Sequence, residues 1–355
     1  MLAFPAGMRV LVTGHNGYIG SVLCPLLQTV GHEVLGLDTF FFQDCTIGMA
    51  RDHRPAVRKD LRDVEPADLR GVDAIIHLAA LSDDPRSEGA ERTDQINHLG
   101  AVRLARSARD AGVGRFLFAS SCSVYGTGGD DPLGEDAPLR PTTAYAVSKA
   151  RAEEDIARLA DGDFSPAFLR SATVYGVSPR LRADTLFNGL VCGAHSTGRI
   201  RTTGDPMAWR PMVHVQDVAA VYAAALGVAR DVIHGQAFNM GYSGENYRLS
   251  ELAEIVRGAV PGSAIEHEAT ADPDPRACRL DFGKLSRALP TFRPQWNAAF
   301  GAKDLYAALQ EAGVTLEDLQ GRKYIRLAQL RYLLASEQVD EHLRWVPSAI
   351  YGTCG

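Results

Sequence analysis

The chain has 355 residues, of which 46% are hydrophobic and 23% charged, and its formal net charge is −6. This composition is that of an ordinary globular protein, and the length accommodates one large or two modest domains. An acidic balance without a basic block gives no support to a nucleic-acid partner. No apolar run approaches the roughly 18 residues that a membrane-spanning helix requires, so no membrane partner is expected.

The N-terminus and the rarer residue types bear on location and on metal binding. Residues 1–7 lack the basic region and the long apolar core of a signal peptide, so the expected location is the cytoplasm. Six cysteines are scattered without a CxxC pair, which is typical of reduced thiols in that compartment. The ten histidines show neither an HxxxH nor an HExxH arrangement, and no metal site is predicted.

The first element is a short Val- and Leu-rich run, residues 8–13, of buried-strand length. It leads into Gly14-His-Asn-Gly17-Tyr-Ile-Gly20 and then into a helical stretch, 21–30. Strand, glycine turn and helix form the context of a dinucleotide loop, because glycines let the backbone approach a pyrophosphate and the helix N-terminus supplies N–H donors. The GxxGxxG spacing differs from the commoner GxGxxG, so an ordinary tight turn is the alternative.

Residues 32–38 predict a second strand that ends in an acid, Asp38. An acid at this place accepts hydrogen bonds from the adenosine ribose hydroxyls and repels a 2′-phosphate. The Thr-Phe-Phe-Phe run that follows contains no arginine that could bind the 2′-phosphate of NADP, so NAD is the predicted cofactor. Asp60 and Leu61 follow a third short strand, where the acid either caps the adenine amine or starts a turn.

Over the first 180 residues, short apolar strands alternate with helix-length stretches, the pattern of a doubly wound parallel α/β sheet. The predicted strands are 8–13, 33–38, 55–58, 74–79, 115–120 and 165–170, and the long helical stretches are 93–111 and 142–159. We predict a Rossmann-like NAD-binding domain over 1–180, with a segment returning to it near 212–245. A smaller mixed α/β substrate domain is predicted over 181–355, with a helical extension at 301–345.

Tyr145 and Lys149 share one face of the predicted helix 142–159, because they are four residues apart. A free phenol has a pKa of roughly 10, too high for a base at neutral pH. A neighbouring ammonium favours the phenolate and lowers that pKa. The pair is therefore a candidate for moving a proton on and off a sugar or alcohol hydroxyl, although the pattern also arises by chance on exposed helices.

The glycine loop, Asp38 and the Tyr145–Lys149 pair together resemble the extended short-chain dehydrogenase/reductase family, of the nucleotide-sugar epimerase and dehydratase type. The resemblance runs from about residue 8 to 295 and leaves about the last 50 residues unexplained. Further segments support it by their order and separation: His77-Leu-Ala-Ala80, Ile96-Asn-His-Leu-Gly100, Ser120-Ser-Cys-Ser-Val-Tyr-Gly126 and Arg210-Pro-Met-Val-His-Val-Gln-Asp217.

This resemblance implies roles for individual residues. Ser121 would hydrogen-bond the reacting oxygen, Tyr145 would take the proton from a C4 hydroxyl, and Lys149 would hold the nicotinamide ribose. The implied cofactor-binding residues are Gly14, Asn16, Gly17, Tyr18, Ile19, Gly20, Asp38, Asp60, Leu61, Leu78, Ala79, Ala80, Asn97, Tyr145 and Lys149. The implied substrate-binding residues are Ser82, Ser123, Thr173, Asn188, Arg210 and Arg276.

Three of the substrate residues carry specific expectations. Arg210 resembles the arginine that binds the nucleotide diphosphate in this family, a role that suits the bidentate hydrogen bonding of a guanidinium group. Asn188 stands where the family often has a diphosphate-contacting amide, with a helix-end residue as the alternative. Thr173 departs from the family, which often has an asparagine there.

The residues after Ser121 bear on the reaction. Family dehydratases carry an Asp-Glu pair immediately after this position, and decarboxylating members carry a Glu at the second place, whereas this chain has Cys122 and Ser123. Dehydration and decarboxylation are therefore disfavoured, unless Asp83 or Asp84 reaches in. The prediction is 4-epimerisation by transient C4 oxidation and non-stereospecific hydride return. The alternatives are 4-ketosugar reduction, a dehydrogenase of a small alcohol or amino acid, and a non-catalytic nucleotide-sensing module.

The resemblance also implies partners. The expected substrate is a nucleotide-diphosphate sugar, whose base and sugar the sequence does not name. Small residues on 93–111 and 142–159 predict a homodimer through a four-helix bundle, with packing against their own sheet as the alternative.

Overall fold

The computed structural model describes residues 7–48, 55–82, 90–268 and 277–347, to which all structural statements refer. Its strands are β1 (Arg9–Thr13), β2 (Glu33–Asp38), β3 (Ala56–Arg58), β4 (Ala74–His77), β5 (Arg115–Ser121), β6 (Ser165–Ser171), β7 (Thr173–Tyr175), β8 (Arg199–Thr203), β9 (Trp209–His214), β10 (Ala237–Met240), β11 (Asn246–Arg248) and β12 (Ala264–Glu268). Its α-helices are α1 (Gly20–Thr29), α2 (Ala90–Asp94), α3 (Ala101–Asp110), α4 (Ala144–Ala157), α5 (Leu186–Thr197), α6 (Val215–Ala225), α7 (Arg230–Ile233), α8 (Leu249–Ala259), α9 (Gly283–Ala288), α10 (Ala298–Glu311), α11 (Leu316–Gln320) and α12 (Arg326–Ala335).

Seven parallel strands form the main sheet, in the order β3-β2-β1-β4-β5-β6-β10. Side chains alternate between its faces, so Val10 and Val12 enter an apolar cluster with α1 and α6. Leu11 enters a second cluster with α3 and α4. The predicted Rossmann-like, doubly wound parallel sheet is confirmed. The strand order reverses between β1 and β4, where ligands of such sheets bind at the carboxyl ends.

The six predicted strands are all present, and the largest difference at any boundary is two residues. The fourth strand ends at His77 rather than residue 79, because the chain leaves the sheet there. The predicted helix 142–159 is α4, whose first turn is capped by the Thr143 hydroxyl. The predicted helix 93–111 is divided, since a π-helical turn, Gln95–Gly100, separates α2 from α3.

The C-terminal half adds smaller layers around its own core. One sheet has the order β11-β9-β7, with β9 antiparallel to β11 and parallel to β7, and a second pairs β12 with β8. Helices α5, α8 and α10 enclose the apolar core of this half. Within the described ranges, no helix combines the length and the apolar character that crossing a membrane requires.

A buried ion pair fixes α4 on the main sheet. Arg170 of β6 donates from Nη2 to Glu153 Oε2 at 2.6 Å, and its Nε donates to both carboxylate oxygens. Both side chains are only 7% exposed. The Ser120 hydroxyl of β5 donates to the same carboxylate, so one helix is tied to two strands. Satisfied hydrogen bonds are what make such a buried pair tolerable.

Glu153→Gln is expected to destabilise the fold by roughly 3–5 kcal/mol, because it leaves the Arg170 charge buried without an anion. Urea unfolding followed by circular dichroism measures the change. The matched control is Glu154→Gln, since Glu154 pairs with Arg158 and its side chain is 67% exposed. That change is expected to cost less than about 1 kcal/mol. Equal costs for the two variants would contradict the structural role assigned to Glu153.

Candidate active site

The glycine loop is pressed between the start of α1 and the chain that leaves β4. Gly14 has a φ of 70°, and a Cβ there would lie 2.8 Å from the backbone nitrogen of Ala79. A Cβ on Gly20 would overlap the carbonyl oxygen of Gly14. No side chain can be added at either position without moving backbone. The backbone therefore reaches the carboxyl edge of the sheet unobstructed, which fits the predicted dinucleotide pyrophosphate at the helix N-terminus.

Asp38 ends β2 beside this loop. Its carboxylate accepts from the backbone N–H of Asn16 at 3.1 Å and from that of Phe40 at 2.7 Å. The acid therefore shapes the glycine loop in addition to standing where a ribose contact is predicted. Arg58 corrects the expectation that no arginine is near, because β3 places it opposite Asp38 in the sheet register. Its guanidinium is directed to the Phe40 ring, 4.9 Å from the centroid.

Two predicted cofactor residues hold neighbouring loops with their polar atoms. The Asp60 carboxylate accepts from the backbone N–H and the guanidinium of Arg62, so it starts a turn, as the alternative interpretation had it. Asn97 binds Leu81 twice, accepting from its N–H and donating to its carbonyl oxygen, both at 2.8 Å. Asn97 thereby holds the loop in which Leu78, Ala79 and Ala80 lie, and its predicted contact with the cofactor stays a prediction.

Ser121 lies at the carboxyl end of β5, where the strand ends in a tight turn. Its Oγ accepts from the backbone N–H of Ser123 at 3.2 Å and from the Ser123 hydroxyl at 2.9 Å. Ser121 is also close enough to Tyr145 of α4 to lower the pKa of the phenol. The hydroxyl predicted to hold the reacting oxygen therefore lies near the hydroxyl predicted to take its proton.

Lys149 lies one turn further along α4 and is 1% exposed. Its Nζ donates to the carbonyl oxygen of Ala119 at 2.7 Å and lies 5.7 Å from the centroid of the Tyr145 ring. The three predicted catalytic side chains thus converge from β5 and α4 at one edge of the sheet. Their catalytic roles stay predictions.

The protonation of the pair differs from the sequence expectation. Burial raises the pKa of Tyr145 to about 12, although the Arg182 charge and the Ser121 hydrogen bond lower it. Burial also lowers the pKa of Lys149 to about 7, although the Glu153 carboxylate raises it. The expectation that the lysine would lower the pKa of the phenol is therefore wrong for the protein alone. For Tyr145, the cost of removing the phenolate charge from water outweighs the lowering of the pKa by Arg182 and Ser121.

Two arginines of the site went unnoticed in the sequence, where Arg180-Leu-Arg182 looks like an ordinary polar loop. Arg182 donates to the Ser82 hydroxyl at 2.7 Å and to Asp184 at 2.8 Å. Its charge is the strongest influence that lowers the pKa of Tyr145. Arg180 donates from Nε to Asn16 Oδ1 at 2.7 Å and so joins the glycine loop to the C-terminal half.

Asn188 is fully buried, and its amide is occupied by protein groups. It accepts from the N–H of Gly176 at 2.9 Å and donates to the Tyr18 hydroxyl and to the carbonyl oxygen of Arg182. Both amide hydrogens are used within the protein, and the predicted diphosphate contact stays a prediction. Its role is to join the glycine loop to the chain that follows β7.

The other predicted substrate residues are spread around this edge. Arg210 is 4% exposed on β9 and donates to the carbonyl oxygen of Trp209 at 3.0 Å. Thr173 begins β7 and pairs with β9. Arg276 lies outside the described residues, as do Asp83 and Asp84.

Lys149→Met is expected to raise the unfolding temperature at pH 7, because burying an ionisable amine costs stability. The folded-state pKa of about 7 lies below the ordinary 10.5, so between these values the unfolded chain binds more protons. Wild-type stability therefore rises with pH over this window. The advantage of the variant should be largest below about pH 7 and shrink towards pH 10.

Differential scanning calorimetry between pH 6 and 10 measures this effect. Lys303→Met is the matched control, because Lys303 is exposed on α10 and its loss should change little at any pH. A Lys149→Met advantage that grows with pH, or a less stable variant at pH 7, would contradict the buried-amine argument.

Comparison with known proteins gives a consistent match. The model of the NAD dependent epimerase/dehydratase family matches residues 10–241. UDP-glucose 4-epimerase of Mycolicibacterium smegmatis is 34% identical over 311 residues, covering 83% of this chain and 96% of that protein.

Solved structures agree. DesIV, a dTDP-glucose 4,6-dehydratase of Streptomyces venezuelae with NAD bound, is 30% identical with a TM-score of 0.74, covering 86% of this chain and 97% of that chain. MoeE5 in complex with UDP-glucose and NAD is 28% identical with a TM-score of 0.72, covering 86% and 99% of the two chains.

Proposed function

This chain belongs to the NAD dependent epimerase/dehydratase family and uses NAD as its cofactor, and we propose that it is a nucleotide-sugar 4-epimerase. The observation that carries the proposal is the convergence of Ser121, Tyr145 and Lys149 at the carboxyl edge of the sheet that also holds the glycine loop. The similarity to UDP-glucose 4-epimerases supports a nucleotide sugar as the substrate.

NAD, when bound, supplies a hydride acceptor that can return the hydride. The protein's own task is then to hold the sugar C4 hydroxyl and to move its proton. Ser121 and Tyr145 present two hydroxyls to one oxygen, so the first orients it and the second exchanges the proton. A phenol with a pKa of about 12 returns a proton readily and accepts one only where positive charge stabilises the phenolate. Arg182 is the described cation that acts in this direction.

The reaction class follows from what surrounds Tyr145. A dehydratase must also protonate a leaving hydroxyl, and the two places after Ser121 hold Cys122 and Ser123 instead of acids. Asp83 and Asp84, the other acids considered for that task, lie outside the described residues. These observations favour epimerisation over dehydration, although the solved relatives include a dehydratase.

Tyr145→Phe is expected to lower kcat by roughly 10²–10⁴-fold, because it removes the group that exchanges the proton. Coupled assay of UDP-galactose conversion to UDP-glucose measures turnover, with circular dichroism and bound-NAD content as checks on the fold. Tyr242→Phe, at an exposed tyrosine that follows β10, is the matched control. Turnover near the wild-type level in Tyr145→Phe would remove the tyrosine from the mechanism.

Purified protein is expected to carry NAD and to interconvert C4 epimers without added cofactor. Chromatography and mass spectrometry of products from UDP-, dTDP-, GDP- and CDP-sugars test this. A requirement for one NADPH per turnover would identify a 4-ketosugar reductase. A product lighter by one water would identify a dehydratase. Equal binding of NADP and NAD would contradict the specificity assigned to Asp38.

Pairing of two copies through α3 and α4 stays part of the proposal. One face of each helix packs on its own sheet, so a four-helix bundle would use the opposite faces. Analytical ultracentrifugation of the purified enzyme tests for the dimer.

A further inference from the structure

The segment from Arg326 to Trp345, here called the C-terminal strap, packs on the nucleotide-binding half. It consists of α12 and a turn that is closed by an antiparallel bridge between Val339 and Trp345. The family model ends at residue 241, so the strap lies outside the part of the chain that this model describes. The contacts of the strap with the nucleotide-binding half indicate what it does.

The apolar side of the strap covers the edge of the sheet where the cofactor is expected. Its Leu333, Val339 and Leu343 share one buried cluster with side chains that follow β2, β3 and β4. These side chains are Phe41, Leu61 and Leu81, with Ala79 partly buried beside them. Ligands of doubly wound sheets lie at these carboxyl ends. Leu61 and Ala79 are also predicted cofactor contacts.

Polar contacts fix the strap to the turn after Asp38. The indole Nε1 of Trp345 donates to the carbonyl oxygen of Thr39 at 2.6 Å. From α12, Gln329 Nε2 donates to the carbonyl oxygen of Phe41 at 3.0 Å. Two backbone oxygens within four residues of the ribose-facing acid are therefore held by one segment.

The ring of Trp345 also completes an aromatic cluster at this turn. It lies 5.7 Å from the Phe41 ring, centroid to centroid, and 5.4 Å from the guanidinium of Arg58. Arg58 is thus held between the rings of Trp345 and Phe40. Cation–π contacts of this kind stabilise the turn against which Trp345 packs.

A second set of contacts holds the turn after β3. Arg344 pairs with Asp63 and lies 3.5 Å from Asp60. In return, Arg62 donates to the carbonyl oxygens of His342 and Leu343. The strap therefore cross-links the turns after β2 and β3, between which the adenosine half of a dinucleotide lies in this fold class.

From these contacts we infer that the C-terminal strap retains NAD by closing the adenosine end of its site, with Trp345 as a positioning residue. Loss of the cofactor then requires two linked turns to separate together. Retention suits a reaction in which one cofactor takes and returns the same hydride. The inference rests on NAD as the cofactor and is independent of which sugar reacts.

Exchange of bound NAD tests the inference without any sugar. NAD-loaded enzyme is mixed with excess NADH, and the fluorescence of bound NADH gives the rate at which NAD leaves. Trp345→Ala is expected to exchange roughly 10–100-fold faster, because a hydrogen bond and an aromatic contact are lost. Trp345→Phe keeps a ring against Phe41 without the indole donor and should give an intermediate rate.

Phe300→Ala is the matched control, because Phe300 is 60% exposed on α10 and should leave the rate unchanged. If Trp345→Ala does not fold, Arg344→Gln loosens the strap at its half-exposed ion pairs and should also speed exchange. Exchange at the wild-type rate in the folded Trp345 and Arg344 variants would overturn the inference, even if their unfolding temperatures fell. Failure of the sugar assays alone would instead count against the proposed reaction.

Discussion

The buried ion pair between Glu153 and Arg170 is the interaction on which the active site depends. Helix α4 carries Tyr145, Lys149 and Glu153 at intervals of four residues, so one face presents all three to the sheet. Arg170 grips the last of them and also donates to the hydroxyl of Tyr125 at 2.9 Å. This anchor sets how far α4 can move, and with it the distance of the tyrosine from Ser121. The geometry of the predicted catalytic side chains is therefore set by a buried strand–helix junction.

A second constraint joins the two halves of the molecule through the glycine loop. Tyr18 donates to the carbonyl oxygen of Gly176 at 2.7 Å, and Arg180 holds Asn16 from the other side. The loop expected at the cofactor phosphates and the chain expected near the sugar are consequently one hydrogen-bonded unit. Asn188 belongs to this junction, which explains why its amide has no hydrogen left for a ligand.

The strands, the glycine loop and the tyrosine–lysine helix could be predicted because their signals are local. Apolar runs of five or six residues bounded by glycine describe a buried parallel strand wherever it pairs. The contacts that could not be predicted join residues that are far apart in the sequence. Arg58 is distant from Asp38 in the chain yet lies opposite it in the sheet, and Arg182 approaches Tyr145 only through the return of the chain after β7.

Side-chain roles were harder to predict than positions. Asn97 and Asn188 stand near the expected edge, but each amide binds protein groups that no sequence pattern shows. The pKa values of Tyr145 and Lys149 shift in the opposite direction from the one that attraction between the two groups predicts. Burial decides both pKa values, and burial depends on the packed structure as a whole.

The π-helical turn at Gln95–Gly100 has a consequence for how the chain tolerates length changes. A π turn holds one more residue than an α turn, so deleting a residue here would yield an uninterrupted α-helix. That helix would be locally more regular, and the residues on either side would keep their faces, because the π turn already accommodates the extra residue within one turn. The same deletion inside α3 would instead rotate everything on one side of it by about 100° around the axis and turn buried side chains away from the sheet. The turn Gln95–Gly100 is therefore where this helix can best lose a residue, provided that Asn97 keeps its hold on the loop after β4.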